Sequence, residues 1–318
     1  MAKDVSLSRH PDNMQDMPLF SYKPSPEPEP VEPSTMPTLS YVAEEVRQHD
    51  RDRFLCALFA PEKVRESLFA LLAFNLEVAK TRETTSEPML GLMRLQWWRE
   101  AIEQIFAGNV RHHAVVEAVA EVNRETPLTR EYIDELIVAR EADVESTPLP
   151  SIEALIHYTR ATSGNLLRLM LEALGIKDDA AFEAADAIGI GWAMVGLLRA
   201  AQIQFRQGYS IFPVLLMHKH GMNPDMLGTR DFVDSAKPAV EELTTLANGF
   251  IKEGKRLSKT LSQEVRERAM PVLLLGVLAD GYIRRIIKAD FDVFGHDIEG
   301  RKFTLQLRLL KSAMMKRF

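Results

Sequence analysis

Apolar residues recur every three or four positions along most of the chain beyond residue 38, the spacing that places them on one face of an α-helix. The strict alternation of a half-buried strand is not evident in the sequence. Glycine, proline and polar clusters divide the periodic sequence into blocks. These blocks predict helices at residues 42–53, 61–83, 89–106, 114–125, 130–145, 151–174, 178–207, 235–261, 263–289 and 301–318, with a loop-rich insert at 221–231. The pattern therefore predicts a single all-α domain.

The first 37 residues differ in composition from the rest of the chain. Residues 25–33 read SPEPEPVEP, in which proline alternates with acid. Such a sequence favours extended chain and supplies no apolar side chains for a core. We therefore expect a disordered Pro- and acid-rich tail over 1–37, followed by a helical domain over 38–318. The tail fits an inert solubilising leader better than a docking peptide.

Composition and charge limit which kinds of partner this protein could bind and in which cellular compartment it could act. A net charge of −6 leaves no broad basic surface for nucleic-acid phosphates. The single cysteine, Cys56, rules out an internal disulfide and is expected to be a small buried apolar residue. The N-terminal segment lacks the apolar core of a secretory signal and the acid-poor composition of a mitochondrial transit peptide.

The longest apolar runs, at 187–198 and near 271–278, are shorter than the roughly 18–20 residues that cross a bilayer. We expect no transmembrane span and a cytoplasmic bacterial protein with at most peripheral contact to the inner membrane. The mitochondrial matrix is the less favoured compartment.

Two apolar features each allow two interpretations. Trp97 and Trp98 fit a membrane interface or a ligand wall, but their helical spacing with neighbouring leucines favours core packing for at least one of them. The helix predicted at 301–318 is basic and amphipathic, so it fits an anionic lipid surface. It equally fits a closing helix with a solvated basic rim, and we favour packing.

Histidine pairs invite a metal interpretation. His112 and His113 are adjacent, and His218 and His220 are two residues apart. Neither pair has the i, i+4 spacing of a helical metal site or a neighbouring cysteine framework. The sequence therefore predicts no metal site.

Five segments, taken in order, resemble characteristic regions of the squalene/phytoene synthase family. Residues 60–87 (APEKVRESLFALLAFNLEVAKTRETTSE) and 194–213 (MVGLLRAAQIQFRQGYSIFP) resemble its two aspartate-rich regions. Residues 94–103 (RLQWWREAIE), 157–167 (HYTRATSGNLL) and 281–294 (GYIRRIIKADFDVF) resemble its tryptophan-arginine stretch, cavity-lining helix and closing helix. The resemblance implies an isoprenoid-synthase-like helical domain around a central cavity.

In that family, the aspartates of the two aspartate-rich regions hold magnesium against a prenyl diphosphate, and the metal neutralises the charge of the leaving group. Here the corresponding positions are eroded, since they fall on Ala79, Lys80, Glu83, Ala200 and Gln204. Glu83 alone of these five carries a carboxylate. The resemblance thus implies no catalytic residue and no cofactor, with Mg²⁺ required only if the chain is a prenyltransferase.

Other residues of the implied cavity are candidates for binding an anion without a metal. An ammonium at the position of Lys80 would repel a metal cluster and attract an anion, together with Arg82 or Arg199. The favoured alternative is a structural ion pair of Lys80 with Glu77 or Glu83. The candidate cavity or anion-binding residues are Lys80, Arg82, Glu83, Tyr158, Arg160 and Arg199.

One longer run points to a branch of the family. Residues 74–106 (FNLEVAKTRETTSEPMLGLMRLQWWREAIEQIF) are similar to mitochondrial NADH:ubiquinone oxidoreductase complex assembly factor 6 and its bacterial relatives. The resemblance implies a non-catalytic protein in respiratory complex I assembly, with complex I subunits or assembly intermediates as partners and a lipid or isoprenoid ligand in the cavity. The alternatives are a prenyltransferase that condenses prenyl diphosphates, and an isoprenoid or quinone carrier without turnover.

Overall fold

The predicted all-α class is confirmed. The computed structural model describes residues 39–85, 87–145, 147–227, 229–296, 298–300 and 302–316, and in these it holds sixteen α-helices and no strand. The tail predicted at 1–37 lies outside the described residues. The helices are α1 (Tyr41–His49), α2 (Arg51–Ala57), α3 (Glu62–Ala79), α4 (Thr81–Thr84), α5 (Pro88–Phe106), α6 (Ala114–Glu125), α7 (Arg130–Ala139), α8 (Glu141–Glu145), α9 (Ile152–Thr159), α10 (Asn165–Ala173), α11 (Asp179–Arg206), α12 (Val214–Lys219), α13 (Arg230–Ser258), α14 (Gln263–Arg268), α15 (Met270–Lys288) and α16 (Lys302–Met314). A π-helical turn, Arg160–Gly164, joins α9 to α10.

Most helix ends follow the local chemistry that predicts them. The Asp178 side chain accepts a hydrogen bond from the backbone N–H of Ala181 at 2.9 Å and so caps α11. Gly108 and Gly175 follow α5 and α10 with φ of +83° and +67°, a conformation that glycine adopts without a steric penalty. Consequently α6 matches its predicted bounds, and α5 and α11 each match to within one residue at either end.

Several predicted helices are interrupted or displaced. Asp50 has a φ of −141°, and its carboxylate accepts the N–H of Arg53, so the helix predicted at 42–53 becomes α1 and α2. Arg140 separates α7 from α8, and Ala269 separates α14 from α15. Helix α12 was not predicted, and α13 begins at Arg230, ahead of the predicted start.

Helix α11 runs through the centre of the fold and packs against α13, α15 and the π-helical turn. Small residues allow this close approach. A Cβ atom at Gly189 would lie 2.7 Å from the Cα of Gly164 in the turn. A Cβ at Gly254 on α13 would lie 2.6 Å from Ile188 of α11. The backbones therefore pack more closely than larger side chains would permit.

Helix α11 is also the one helix among the described residues that is long and apolar enough to cross a membrane. It has 28 residues and its most apolar window has a mean hydropathy of 1.4, but 67% of that window is buried inside the fold. A helix that is buried against its neighbours is typical of a protein core. The length and composition of α11 are therefore only weak evidence that it crosses a membrane.

The ambiguous apolar residues pack into the core. Trp98 is buried and lies edge-on to Phe74 at 5.5 Å, whereas Trp97 is partly buried against the same cluster. Cys56 is buried and free, as predicted. In α16, the buried positions Leu305, Leu309 and Ala313 recur every four residues, so one face of this helix closes the core.

Candidate functional site

A cavity of about 570 Å³ lies between the junction of α3 and α4 and the end of α11. Arg140, residues of α8 and α9, and residues within 208–227 form its other walls. Four of the five positions predicted to be eroded converge on it, since Ala79, Glu83, Ala200 and Gln204 line the space and Lys80 does not. The two resembling segments thus face each other across one cavity, as two carboxylate-bearing helices would around a metal.

Tyr158 anchors a polar cluster in the wall of this cavity. Its hydroxyl donates to Asp143 at 2.8 Å and accepts a hydrogen bond from Arg140 at 2.9 Å. Arg140 also donates to Asp143 at 3.0 Å, which closes the triangle. Burial raises the pKa of the Tyr158 phenol above its ordinary value, with Asp143 reinforcing the shift and Arg140 opposing it. The phenol therefore stays protonated at neutral pH and acts as a hydrogen-bond donor rather than as a base.

Arg82 and Tyr209 close one side of the cavity. The turn after α11 has a Schellman geometry, in which Gly208 has a φ of +78° and Tyr209 donates its N–H to the Gln204 carbonyl at 2.9 Å. This turn directs the Tyr209 ring towards α4, where the Arg82 guanidinium lies 3.5 Å from the ring centroid. The Nη2 atom of Arg82 is buried and has no hydrogen-bond partner among the described residues.

Two candidate cations lie outside the cavity lining. Lys80 pairs with Glu45 of α1 at 3.6 Å, rather than with Glu77 or Glu83. Arg160 is exposed and pairs at 3.0 Å with Asp186. Both cations therefore have carboxylate partners supplied by residues distant in the sequence.

Arg199 is not among the cavity-lining residues either. Its guanidinium pairs with Asp52 at 3.4 Å and with Glu299 at 2.5 Å, and it lies 3.8 Å from the centroid of the Tyr282 ring. The Tyr282 hydroxyl donates to the same Asp52 carboxylate at 2.8 Å. Arg199 thus links α2, α11, α15 and the segment that precedes α16, which is an architectural role.

His113 and His220, two of the histidines that invited a metal interpretation, have protein partners. His113 accepts the N–H of Val115 at the start of α6 and packs edge-on against Trp98. His220 lies 2.8 Å from Glu242. Within the described ranges no cluster of three or more His, Cys, Asp or Glu side chains has the geometry to hold a metal ion.

The donor chemistry of the cavity does not fit a magnesium–diphosphate centre. Magnesium in such centres takes carboxylate oxygens together with phosphate oxygens. The carboxylates among the described lining residues are Glu83 and Asp143, and Asp143 is already bonded to Tyr158 and Arg140. Glu83 is left without a second free carboxylate to share a metal.

The polar residues of the cavity wall that sequence reasoning missed include Arg140, Asp143 and Tyr209. Arg140 and Asp143 lie in a stretch predicted as one continuous helix, where nothing in the local pattern separates a cavity face from a solvent face. Tyr209 follows Gly208, and that glycine after a long helix is the signal that could have indicated a chain reversal towards the cavity.

Comparison with known proteins agrees with this fold. The family model for squalene/phytoene synthase matches residues 46–310. NADH dehydrogenase (ubiquinone) complex I, assembly factor 6 of Homo sapiens is 29% identical over 90% of this chain and 85% of its own length. The Rattus norvegicus protein of the same name is 30% identical over 87% and 82%, respectively.

Solved structures show the same architecture at low sequence identity. A dehydrosqualene synthase in complex with ligand has a TM-score of 0.73 at 14% identity and covers 86% of this chain and 94% of its own. Squalene synthase HpnC from Alicyclobacillus acidocaldarius has a TM-score of 0.69 at 19% identity, with 79% and 93% covered. At such identities the likeness concerns the fold alone. Because the family model spans most of the sequence, the chain belongs to the squalene/phytoene synthase family.

Proposed function

We propose that this protein is a non-catalytic member of its family that acts in the assembly of respiratory complex I. The observation that carries the proposal is its similarity, over more than four fifths of both chains, to proteins named for that role. Similarity of this extent covers most of the chain rather than one shared segment. The partners would be complex I subunits or assembly intermediates, and the protein would act from the cytoplasm at the inner membrane.

The lack of catalysis in this proposal is supported by the cavity lining. Ionisation of an allylic diphosphate requires the departing charge to be neutralised, and carboxylate-bound magnesium does this in prenyl synthases. Ala79, Ala200 and Gln204 supply no anionic ligand at the facing positions. A single exposed Glu83 cannot replace a clamp made from two helices.

A turnover assay separates this proposal from a prenyltransferase. Purified protein would be given farnesyl or geranylgeranyl diphosphate with Mg²⁺, and release of diphosphate would be followed beside an active squalene synthase as positive control. We expect no release above the protein-free background, and no difference between the wild type and Glu83→Gln. Metal-dependent release that Glu83→Gln abolishes would contradict the proposal.

The assembly role is tested separately by deleting the gene. Deletion is expected to lower the amount of assembled complex I, because an intermediate that needs this protein would not mature. Normal complex I in the deletion strain would reject the assembly role even if turnover were absent.

A second candidate function, binding of an isoprenoid or quinone-like amphiphile without turnover, is favoured by the cavity itself. The space has apolar walls that include Leu197 and Ile203, and the unpaired Nη2 of Arg82 lies beside it. A ligand with one anionic or carbonyl group could occupy the space without a metal. A rise in melting temperature on adding farnesyl phosphate should be lost in Arg82→Met and kept in the exposed control Arg124→Met.

A further inference from the structure

Helix α16 has two apolar faces, of which the fold covers one. Leu305, Leu309 and Ala313 are buried, whereas Leu307, Leu310 and Met314 are 50%, 48% and 76% exposed. The exposed residues follow the spacing i, i+3, i+7, so they form a stripe along the outer side of the helix. Single exposed leucines are ordinary on a protein surface, but a continuous stripe indicates a binding surface.

The orientation of this stripe is fixed by contacts on the inner face. Thr304 accepts a hydrogen bond from Arg285 of α15 at 3.1 Å, and Leu305 fills the space left by Gly281. At the other end Lys316 pairs with Glu267 of α14. Helix α16 is therefore held antiparallel to α15, and its outer stripe cannot turn inward without breaking these contacts.

The charge around the stripe is opposite in sign to that of the whole protein. Residues 300–318 contain six lysines and arginines and no aspartate or glutamate, although the chain carries a net charge of −6. Lys311 is exposed and lies on the same side as the stripe, four residues after Leu307. Within the described part of the chain, neither Lys311 nor Arg308 has a carboxylate partner. The favourable effect of cations at a helix C-terminus accounts for Lys311 but not for the exposed apolar residues beside it.

We infer that the outer face of α16, formed by Leu307, Leu310, Lys311 and Met314, is a docking surface for an anionic phospholipid membrane. Apolar side chains on one side of a surface helix enter the boundary between head groups and acyl chains, while lysine and arginine reach the lipid phosphates. Charge complementarity selects an anionic bilayer over a neutral one, because the segment carries cations alone. This surface is separate from the cavity. The inference adds the surface that would hold the protein at the membrane, and vesicle binding can succeed or fail independently of the assembly role.

Vesicle co-sedimentation with the full chain tests this surface. The wild type is expected to pellet with vesicles of phosphatidylcholine and phosphatidylglycerol more strongly than with phosphatidylcholine alone. Added salt should weaken the binding, because it shortens the range of the charge attraction. Lys311→Gln should lower the partition coefficient about fivefold, the effect of one cation near an anionic surface. The double variant Leu307→Glu, Leu310→Glu should lower it at least about tenfold.

Leu215→Glu is the matched control, since Leu215 is 63% exposed on α12 and should not alter vesicle binding. Far-UV circular dichroism and the melting temperature check that each variant is folded. If the double variant does not fold, Lys311→Gln alone provides the test. Equal binding to neutral and anionic vesicles, or wild-type binding by the folded variants, would overturn the inference. A wild-type dimer that the double variant dissociates, without any vesicle binding, would assign the stripe to a second copy of the chain and would also overturn it.

Discussion

Replacing Gly189 with alanine tests the close contact on which the central helix depends. A Cβ atom at this position would lie 2.7 Å from the Cα and 2.8 Å from the backbone N of Gly164. Ordinary contacts between such atoms begin nearly an ångström further apart. Both obstructing atoms belong to the backbone, so no side-chain rotation can relieve the clash. Helix α11 and the π-helical turn would have to move apart, and Tyr158 lies just before that turn.

Gly196 supplies a matched control on the same helix, because a Cβ there meets no atom within 4 Å. Alanine in place of glycine within a helix gains roughly 0.5–1 kcal/mol at either site. Overpacking at Gly189 should cost about 1–3 kcal/mol on top of that gain. We therefore expect Gly196→Ala to stabilise the fold, and Gly189→Ala to lie about 1–3 kcal/mol below it in free energy of unfolding.

Urea and thermal unfolding followed by far-UV circular dichroism measure this difference. For a chain of this size, 1 kcal/mol corresponds to a shift in melting temperature of about 2 °C, because the entropy of unfolding scales with chain length. The two variants should therefore separate by several degrees, with Gly189→Ala the lower. If Gly189→Ala were as stable as Gly196→Ala, the close contact between α11 and the turn would be refuted.

Three smaller perturbations test other parts of the account. Tyr158→Phe should lower the free energy of unfolding by about 1.5–3 kcal/mol, because Asp143 loses a buried hydroxyl donor; an unchanged urea midpoint would contradict this. Lys80→Ala should change the free energy of unfolding by less than about 1 kcal/mol, because its ion pair with Glu45 is partly solvated. A larger loss would contradict the weak structural role given to this pair. The hydrogen bond from Lys219 lowers the pKa of Glu242 below its ordinary value of 4.5. The ionised carboxylate therefore contributes its full stabilisation of the fold above about pH 4.5, and this stabilisation is lost as the pH falls through the folded-state pKa. Glu242→Gln should therefore lose less stability than the wild type when the pH is lowered from neutral to acid. Melting temperature measured against pH checks this, and parallel curves for the two proteins would contradict a stabilising role of the Glu242 carboxylate.

The sequence predicted the helices well where local rules decide the outcome. Helix α6 matches its predicted bounds because an apolar stripe and polar flanks agree over its whole length. The break at Arg140 was missed because its backbone angles, −74° and −9°, remain nearly helical and no glycine or proline marks the position. The break at Asp50 depends on a carboxylate that caps the next helix, and the same residue type is also tolerated within helices.

The candidate site was predictable only in part. Family resemblance located Ala79, Glu83, Ala200 and Gln204, and these four do line one cavity. The partners of the charged candidates could not be predicted, because they come from distant parts of the chain. Lys80 pairs with a residue of α1, and no pattern of local sequence encodes such a contact.

The most direct test of the central claim is the amount of assembled complex I in cells that lack the gene. Native gels and NADH:quinone activity would be compared in the deletion strain and in strains restored with the wild type or with Glu83→Gln. We expect loss of complex I with the other respiratory complexes kept, and equal restoration by both forms, because assembly does not use the cavity carboxylate for turnover. Unchanged complex I in the deletion strain would contradict the assembly role, and restoration by the wild type alone would contradict the claim that Glu83 has no catalytic part.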